Sequence, residues 1–347
     1  VNFFLSLLLL ATLCIFSCKK DETPAGKGNY SKGLFVVNEG PFGGTGSISW
    51  HNPETGETVQ DVFGKANGGA LLGEFVQSLT LHNGKGYIVV NGANKVYVVD
   101  ALTFKYIDTI GGLALPRFML PLNNDLALFS QWGADGLSGS VAKVDLRTGQ
   151  TVLTIPTGKG PEKMIRQADG LVVVPNSGGF GVDSTVTFLN LGVTAELDRI
   201  VVPGKNPGTV AVAAFGAGPF GPYTFVQCRG SFLDASPAGW VGTISSAAGV
   251  GHATPAFGDD LAVSPDGQQL YFTAGGKIYR LNANGLEAWI DQSGYGLACD
   301  SGTGNVYCAD AKDFNSNGEV VVYNASGQRI GAFPVGVAPG EIVFIPE

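Results

Sequence analysis

The chain has 347 residues, only 14% of them charged, and its 21 Lys and Arg against 29 Asp and Glu leave a net charge of −8. A hydrophobic content of 44% is enough for a large core and excludes general disorder. The acidic balance, with no basic run, argues against nucleic acid as a partner. Glycine accounts for 52 residues, among many Val, Ile, Phe and Thr. That mixture predicts short strands joined by tight turns, because glycine supplies the positive-φ positions such turns need. The class expected is all-β.

The first element is apolar. Residues 3–17 run without a charge for about 15 positions. A spanning helix needs roughly 20, so the run fits the core of a secretory signal instead. It stops at Cys18, followed by Lys19, Lys20, Asp21 and Glu22. Ile15-Phe16-Ser17-Cys18 resembles a bacterial lipobox, in which the cysteine is lipidated and becomes the first residue of the mature chain. The resemblance implies a signal peptide over 1–17, a lipid on Cys18 and a flexible tether over 18–32, ahead of one domain over 33–347. The alternative is an ordinary signal peptide with an incidental cysteine. One departure from the pattern is that no Lys or Arg precedes the apolar run. Beyond Cys14 and Cys18, Cys228, Cys299 and Cys308 are too few and too odd in number for a disulfide framework. Cys299 and Cys308 flank the turn 300–305 and read better as small buried hydrophobes than as a diagonal disulfide.

The domain is repetitive. Strands are predicted at 34–38, 47–51 and 57–63, with Asn52-Pro-Glu-Thr-Gly56 as a turn. The next unit shows the grammar in full: strand 76–82, the hairpin turn Asn83-Gly84, strand 86–91, loop 92–94, strand 95–100 and strand 105–110. Turns of Asn or Asp followed by Gly recur at Asp145-Leu-Arg-Thr-Gly149, Ser264-Pro-Asp-Gly267 and Asn324-Ala-Ser-Gly327. Seven unit starts, at 76, 116, 161, 207, 258, 294 and 339, stand 36 to 51 residues apart, the period of a four-stranded propeller blade. The last start is followed by one strand, 341–346, while the first unit lacks an inner strand. A seven-bladed β-propeller closed by pairing of the C-terminal strand with strand 34–38 follows, and closure removes the open sheet edges. Six or eight blades is the competing count, because the fifth unit is irregular around 215–221.

Gly86-Tyr-Ile-Val-Val-Asn91 followed by Val96-Tyr-Val-Val-Asp100 resembles the YVTN-repeat (YncE-like) propellers, as does Leu261-Ala-Val-Ser-Pro-Asp-Gly267 followed by Leu270-Tyr-Phe-Thr273. Phe35-Val-Val-Asn-Glu-Gly40, Ala309-Asp-Ala-Lys-Asp313 and Pro339-Gly-Glu-Ile-Val-Phe344 are similar to a narrower group of surface-lipoprotein propellers. The resemblance implies an outer-membrane lipoprotein exposed at the cell surface. It also implies a TonB-dependent transporter as partner and, for some members of the group, capture of a corrinoid such as vitamin B12.

Five loops between second and third strands are long: 39–45, 130–139, 175–184, 228–239 and 310–318. They carry Phe42, Trp132, Phe180, Phe232 and Phe314 among Gly, Asp, Asn and Ser, a placement that blade packing does not require. Such aromatics form a ligand platform or fold back to cap their own blades. Arg229 and Asp313 from the same loops, with Arg117 and Tyr295 from unit starts, complete the ligand-binding candidates. Gln77, Glu162, Lys163, Asp259, Asp260 and Glu341 are expected to ring the channel mouth with Arg117 and Tyr295. That ring either meets a polar neutral or zwitterionic ligand or pairs its charges internally. Asp313-Phe-Asn315-Ser-Asn317-Gly318 opens like a calcium loop, but Asn324 stands where the bidentate Glu belongs, so a metal-free hairpin loop is expected. The chain shows no nucleophile elbow, Cys-x-x-Cys pair or His-x-x-x-His, so neither catalysis nor a resident cofactor is expected. Two functions remain: capture of a small molecule, possible ligands including a corrinoid, or a scaffold for a protein or peptide in the cell envelope.

Overall fold

A computed structural model describes residues 29–190, 192, 196–215, 223–233, 238–244, 251–258, 260–292 and 294–346. These residues form seven four-stranded antiparallel sheets, the blades of a β-propeller. Blade 1 spans 34–59 and borrows its inner strand from the C-terminus; blades 2 to 7 span 76–110, 116–156, 165–201, 207–255, 261–290 and 296–337. The seven-blade count and its closure therefore hold. The irregular segment of the fifth unit falls mostly at 216–222, and it lies outside the described residues, as do Cys18 and the apolar run 3–17.

Blade stacking explains the residue pattern. In β5 (Lys85–Val90), Tyr87 and Val89 enter the core shared with blade 3, while Ile88 and Val90 enter the core shared with blade 1. Successive side chains of a strand point to opposite faces, and a blade has a neighbour on each face. The second strand of each blade, flanked on both faces, therefore reads as a nearly unbroken apolar run. Outer strands such as β7 (Tyr106–Ile110) are wetted, and three of its five residues are exposed.

The closing strand β28 (Pro339–Phe344) pairs antiparallel with β1 (Leu34–Asn38), setting Ile342 opposite Val36 and Phe344 opposite Leu34. Ile342 and Phe344 pack with Tyr307, Phe333 and Val335 of blade 7, whereas Val343 and Ile345 pack toward blade 2. One strand thus fills two inter-blade cores.

A backbone device marks the blade starts. Phe75, Leu115, Gly160, Asn206 and Ala338 all adopt left-handed backbone, with φ between 49° and 63°. Their carbonyls accept the N–H groups of Asn91, Trp132, Ser177, Arg229 and Glu39, which stand one or two places after the second strands of blades 2, 3, 4, 5 and 1. Four of the five precede proline, which is tolerated because the inner strand is an edge of its sheet. In five of the seven blades the sequence period is thus marked by this hydrogen bond.

Two local expectations change. The strand expected at 57–63 is only β3 (Thr58–Val59), followed by the short helix α1 (Val62–Ala66). Asp61 caps that helix by accepting the Gly64 N–H at 3.0 Å, which buries Val62 and Phe63. The packed region also reaches back into the segment read as tether, since Tyr30 is buried against Phe35, Trp50 and Phe104. Cys228, Cys299 and Cys308 form no disulfide with one another. Burial pushes Cys228 and Cys308 up to about 12, leaving both as packing groups.

Candidate ligand-binding site

The loops between second and third strands meet on one face of the ring. Those of blades 2 and 6 are tight, at 91–94 and 275–276, and the other five are long. On this face opens a cleft of about 700 Å³ between loops of blades 3 to 7. Six of the nine candidate ligand-binding residues line it: Trp132, Phe180, Arg229, Phe232, Tyr295 and Phe314. Phe257, Lys277 and Lys312 join them.

The aromatics meet residues from other loops and connectors. Phe232 stacks on Phe257 with centroids 3.9 Å apart, Trp132 meets Phe180 edge-on at 5.6 Å, and Tyr295 meets Phe314 edge-on at 5.2 Å. Gly136, at φ 68°, shows why the loops are glycine-rich: the Phe180 ring occupies the space a Cβ there would need. Large apolar surface still faces out, with Phe232 84% and Phe180 70% exposed. Three candidates stand elsewhere. Arg117 lies beneath Trp132 in the channel. Phe42 is 92% exposed and touches Phe75, away from the cleft. The Asp313 carboxylate accepts from the backbone N–H groups of Asn315 and Ser316 and from the Ser316 hydroxyl, closing its own turn.

Below the cleft lies a polar channel cavity of about 60 Å³, lined among others by Glu39, Gln77, Arg117, Lys163, Asp260 and Glu341. Arg229 and Tyr295 belong to both walls. The channel charges pair with one another. Arg117 donates to Glu162 through Nε at 3.1 Å and Nη2 at 3.2 Å, and also to Gln77. Lys163 Nζ donates to Glu341 at 2.8 Å, and the other Glu341 oxygen accepts the Leu79 N–H at 3.0 Å. The Tyr295 hydroxyl donates to Glu39 at 3.0 Å. Burial lifts Glu39 above the ordinary carboxylate range, against the pull of Arg117 and the Tyr295 hydrogen bond. Burial likewise raises Asp260 to about 6, opposed by Lys163 and by the N–H groups of Leu297 and Leu261. For Lys163 burial opposes the charge, but Glu341 and Asp260 hold its pKa above the usual lysine value. Asp259 lies outside the described residues.

The residues that sequence reasoning misses share one position. Glu39 follows a second strand directly, as Trp132 and Arg229 do, Ser177 stands two places after one, and each of the four precedes a glycine. The carbonyl bond from the blade start places all four at equivalent points around the mouth. That X-Gly repeat was the available signal. Phe257 has a weaker one, since it stands immediately before a unit start.

Fold and site together define a β-propeller with a loop-built cleft over a charged channel. Residues 32–190 match a family described as a domain of unknown function, DUF5074. No curated protein matches the chain. Among solved structures, a quinonprotein alcohol dehydrogenase-like protein from Bacteroides thetaiotaomicron VPI-5482 is similar at 18% identity, with a TM-score of 0.63, covering 92% of this chain and 79% of that one. Hydrazine synthase of Kuenenia stuttgartiensis is similar at 15% identity, with a TM-score of 0.61, covering 79% of this chain and 92% of its own. A hypothetical selenium-binding protein from Sulfolobus tokodaii is similar at 12% identity, with a TM-score of 0.64, covering 90% and 93%. At such identities the likeness establishes the fold alone.

Proposed function

We propose that this protein is a non-catalytic binding propeller, anchored by lipid at Cys18 to the outer membrane and exposed at the cell surface. It captures a conjugated small molecule in the aromatic cleft and passes it to a TonB-dependent transporter. The observation that carries this reading is the cleft itself, about 700 Å³ walled by Trp132, Phe180, Phe232, Phe257 and Phe314. Sites for drug-sized ligands run from about 300 to 1,000 Å³ and are mainly apolar with a few polar groups. Resemblance to the surface-lipoprotein propellers supplies the ligand class, a corrinoid, whose flat ring offers a face to stack and whose amide groups suit Arg229 and Tyr295. A corrinoid would enter by part of its surface and leave the rest for a partner.

Uptake tests this directly. The full chain is mixed with cyanocobalamin, freed of unbound ligand by gel filtration, and read for cobalt and visible colour. One cobalt per chain is the expected result; a colourless, cobalt-free protein overturns the corrinoid reading. For the anchor, Cys18→Ser should move the protein out of the detergent phase, and a variant that stays there overturns the lipid assignment.

The alternative, a scaffold for a protein or peptide, draws on Phe42 and Leu71, which are 92% and 68% exposed outside the cleft. Phe42→Ser with Leu71→Ser separates the two, since it should leave small-molecule uptake intact.

A further inference from the structure

The charged side chains of the cleft restrict what its ligand carries. Among the described residues three cations line it, Arg229, Lys277 and Lys312, against a single carboxylate, Asp310. That carboxylate is engaged within its own surroundings: the Lys312 N–H donates to Oδ1 at 2.8 Å and Gln292 Nε2 donates to Oδ2 at 3.3 Å. Arg229 also faces the channel, within electrostatic reach of Glu39.

Lys277 and Lys312 differ from it. They come from the adjacent blades 6 and 7, Lys277 directly after Gly275-Gly276 and Lys312 from the loop 311–316. Their side chains are 46% and 43% exposed, and each is held only by a long ion pair, Lys277 to Asp291 at 3.6 Å and Lys312 to Glu319 at 3.9 Å. Exposed pairs of that kind are weak, so either ammonium can turn to a better-placed anion. The adjacent Asp313 carboxylate is turned into its own loop. All this occurs on a chain of net charge −8, so cations gathered in the apolar cleft run against the background.

We infer that the cleft selects a ligand bearing an anionic oxygen group, carboxylate or phosphate, on its conjugated body. Lys277 and Lys312 receive that group while Phe232, Phe257 and Phe314 hold the apolar part. An ammonium is a rotatable point charge with three donors, which suits an anion on a flexible arm. An apolar body seated against those rings displaces water from around the pair and strengthens the attraction. The inference rests on the cleft being a ligand site and adds the charge class of what it takes.

Two fluorescent probes with one aromatic frame test it: 8-anilinonaphthalene-1-sulfonate, which is anionic, and N-phenyl-1-naphthylamine, which is neutral. Each is titrated into the full chain. The anion should bind about tenfold tighter, because one partly screened charge pair already supplies that ratio. Lys277→Gln with Lys312→Gln should abolish the preference and leave the neutral probe unchanged, and Lys277→Glu with Lys312→Glu should reverse it. A preference that survives both double variants overturns the charge assignment. Phe232→Ala should weaken both probes; if it weakens neither, the cleft is not the binding site and the underlying reading fails instead.

Discussion

The guanidinium carbon of Arg117 lies 4.3 Å from the centroid of the Trp132 ring, so a channel cation forms the underside of a cleft wall. Glu162 fixes the guanidinium by two hydrogen bonds and is itself held by the Ser177 hydroxyl at 2.9 Å. Gln77 holds the remaining side of Arg117. The aromatic platform is thereby indexed to a charged network drawn from blades 2, 3 and 4. A cation over an indole face contributes about 0.5–2 kcal/mol, the upper end where water is excluded.

Removing Glu162 should be costly. Its side chain is 1% exposed and its partner 12%. Taking away one member of a buried pair leaves the other charge uncompensated, at about 3–5 kcal/mol. Glu162→Ala should therefore lower the denaturation midpoint strongly. Arg117→Met in that background should cost less than in the wild type, because it removes the stranded guanidinium and leaves no carboxylate unpaired at Glu162. Additive losses in the double-mutant cycle would show that the two residues act separately.

Ring closure gives a second test. Ile342 is 7% exposed and packs with Leu34, Val36, Tyr307 and Phe333. Trimming a buried aliphatic side chain to alanine costs about 2–5 kcal/mol. Ile342→Ala should fall in that range, and deleting 339–346 should expose the edges of β1 and cause aggregation. A truncated chain that melts like the wild type would place the closure elsewhere.

How much of this was readable in advance depends on what each feature is made of. The blade count was legible because the left-handed entry residue and its hydrogen bond recur in five of the seven blades, four times followed by proline, as at Leu115-Pro116 and Ala338-Pro339. Trp132, Phe180, Phe232 and Phe314 were legible because glycine-rich loops do not otherwise call for large aromatics. Helix α1 was not, since five residues are too few to show a helical period and only Asp61 announces it. Lys277 and Lys312 were invisible for a different reason. They are far apart in local pattern, and only the stacking of blades 6 and 7 brings them to one cleft. The ring of channel charges could be named, but which acid meets which base is decided by the angular position of each blade.

Ala338 tests the entry device. It is 2% exposed, at φ 53°, a conformation that costs a residue with a Cβ roughly 1–2 kcal/mol. Glycine removes that strain but loses about 0.5–1 kcal/mol of entropy on folding. Ala338→Gly should thus be neutral or stabilising by up to about 1 kcal/mol, unlike most buried substitutions. A loss above about 1 kcal/mol in urea unfolding would mean the position carries no strain.

Asp260 should make stability depend on pH. Its folded value of about 6 lies above the ordinary 3.8, so between those values the folded chain holds a proton that the unfolded chain has released. Stability from this group is complete below about 3.8 and is lost as pH rises through about 6. Glu39, also raised, acts in the same sense, whereas Asp100, Asp135, Asp145, Asp266 and Asp313 are lowered, and their contribution is lost as pH falls below the ordinary value. A difference measurement isolates Asp260. The melting temperature of Asp260→Asn minus that of the wild type should rise from pH 4 to about 6 and then level off. A flat difference would show that burial does not penalise this carboxylate.

The cleft itself is tested at Trp132, where the channel network and the proposed ligand share one side chain. Arg117 takes one face of the indole and Phe180 meets it edge-on, so its orientation is fixed before any ligand arrives. A rigid aromatic of this kind loses little conformational entropy on binding, which is why such residues dominate binding energy. Trp132→Ala should weaken ligand binding by at least about 1–2 kcal/mol, with stability measured separately so that loss of fold is not read as loss of site. The control is Asn83→Asp on the opposite face, at the hairpin turn of blade 2, where φ is 49° and aspartate is also tolerated. That change should leave binding alone. Normal binding by Trp132→Ala together with weakened binding by Asn83→Asp would put the site on the other side of the ring.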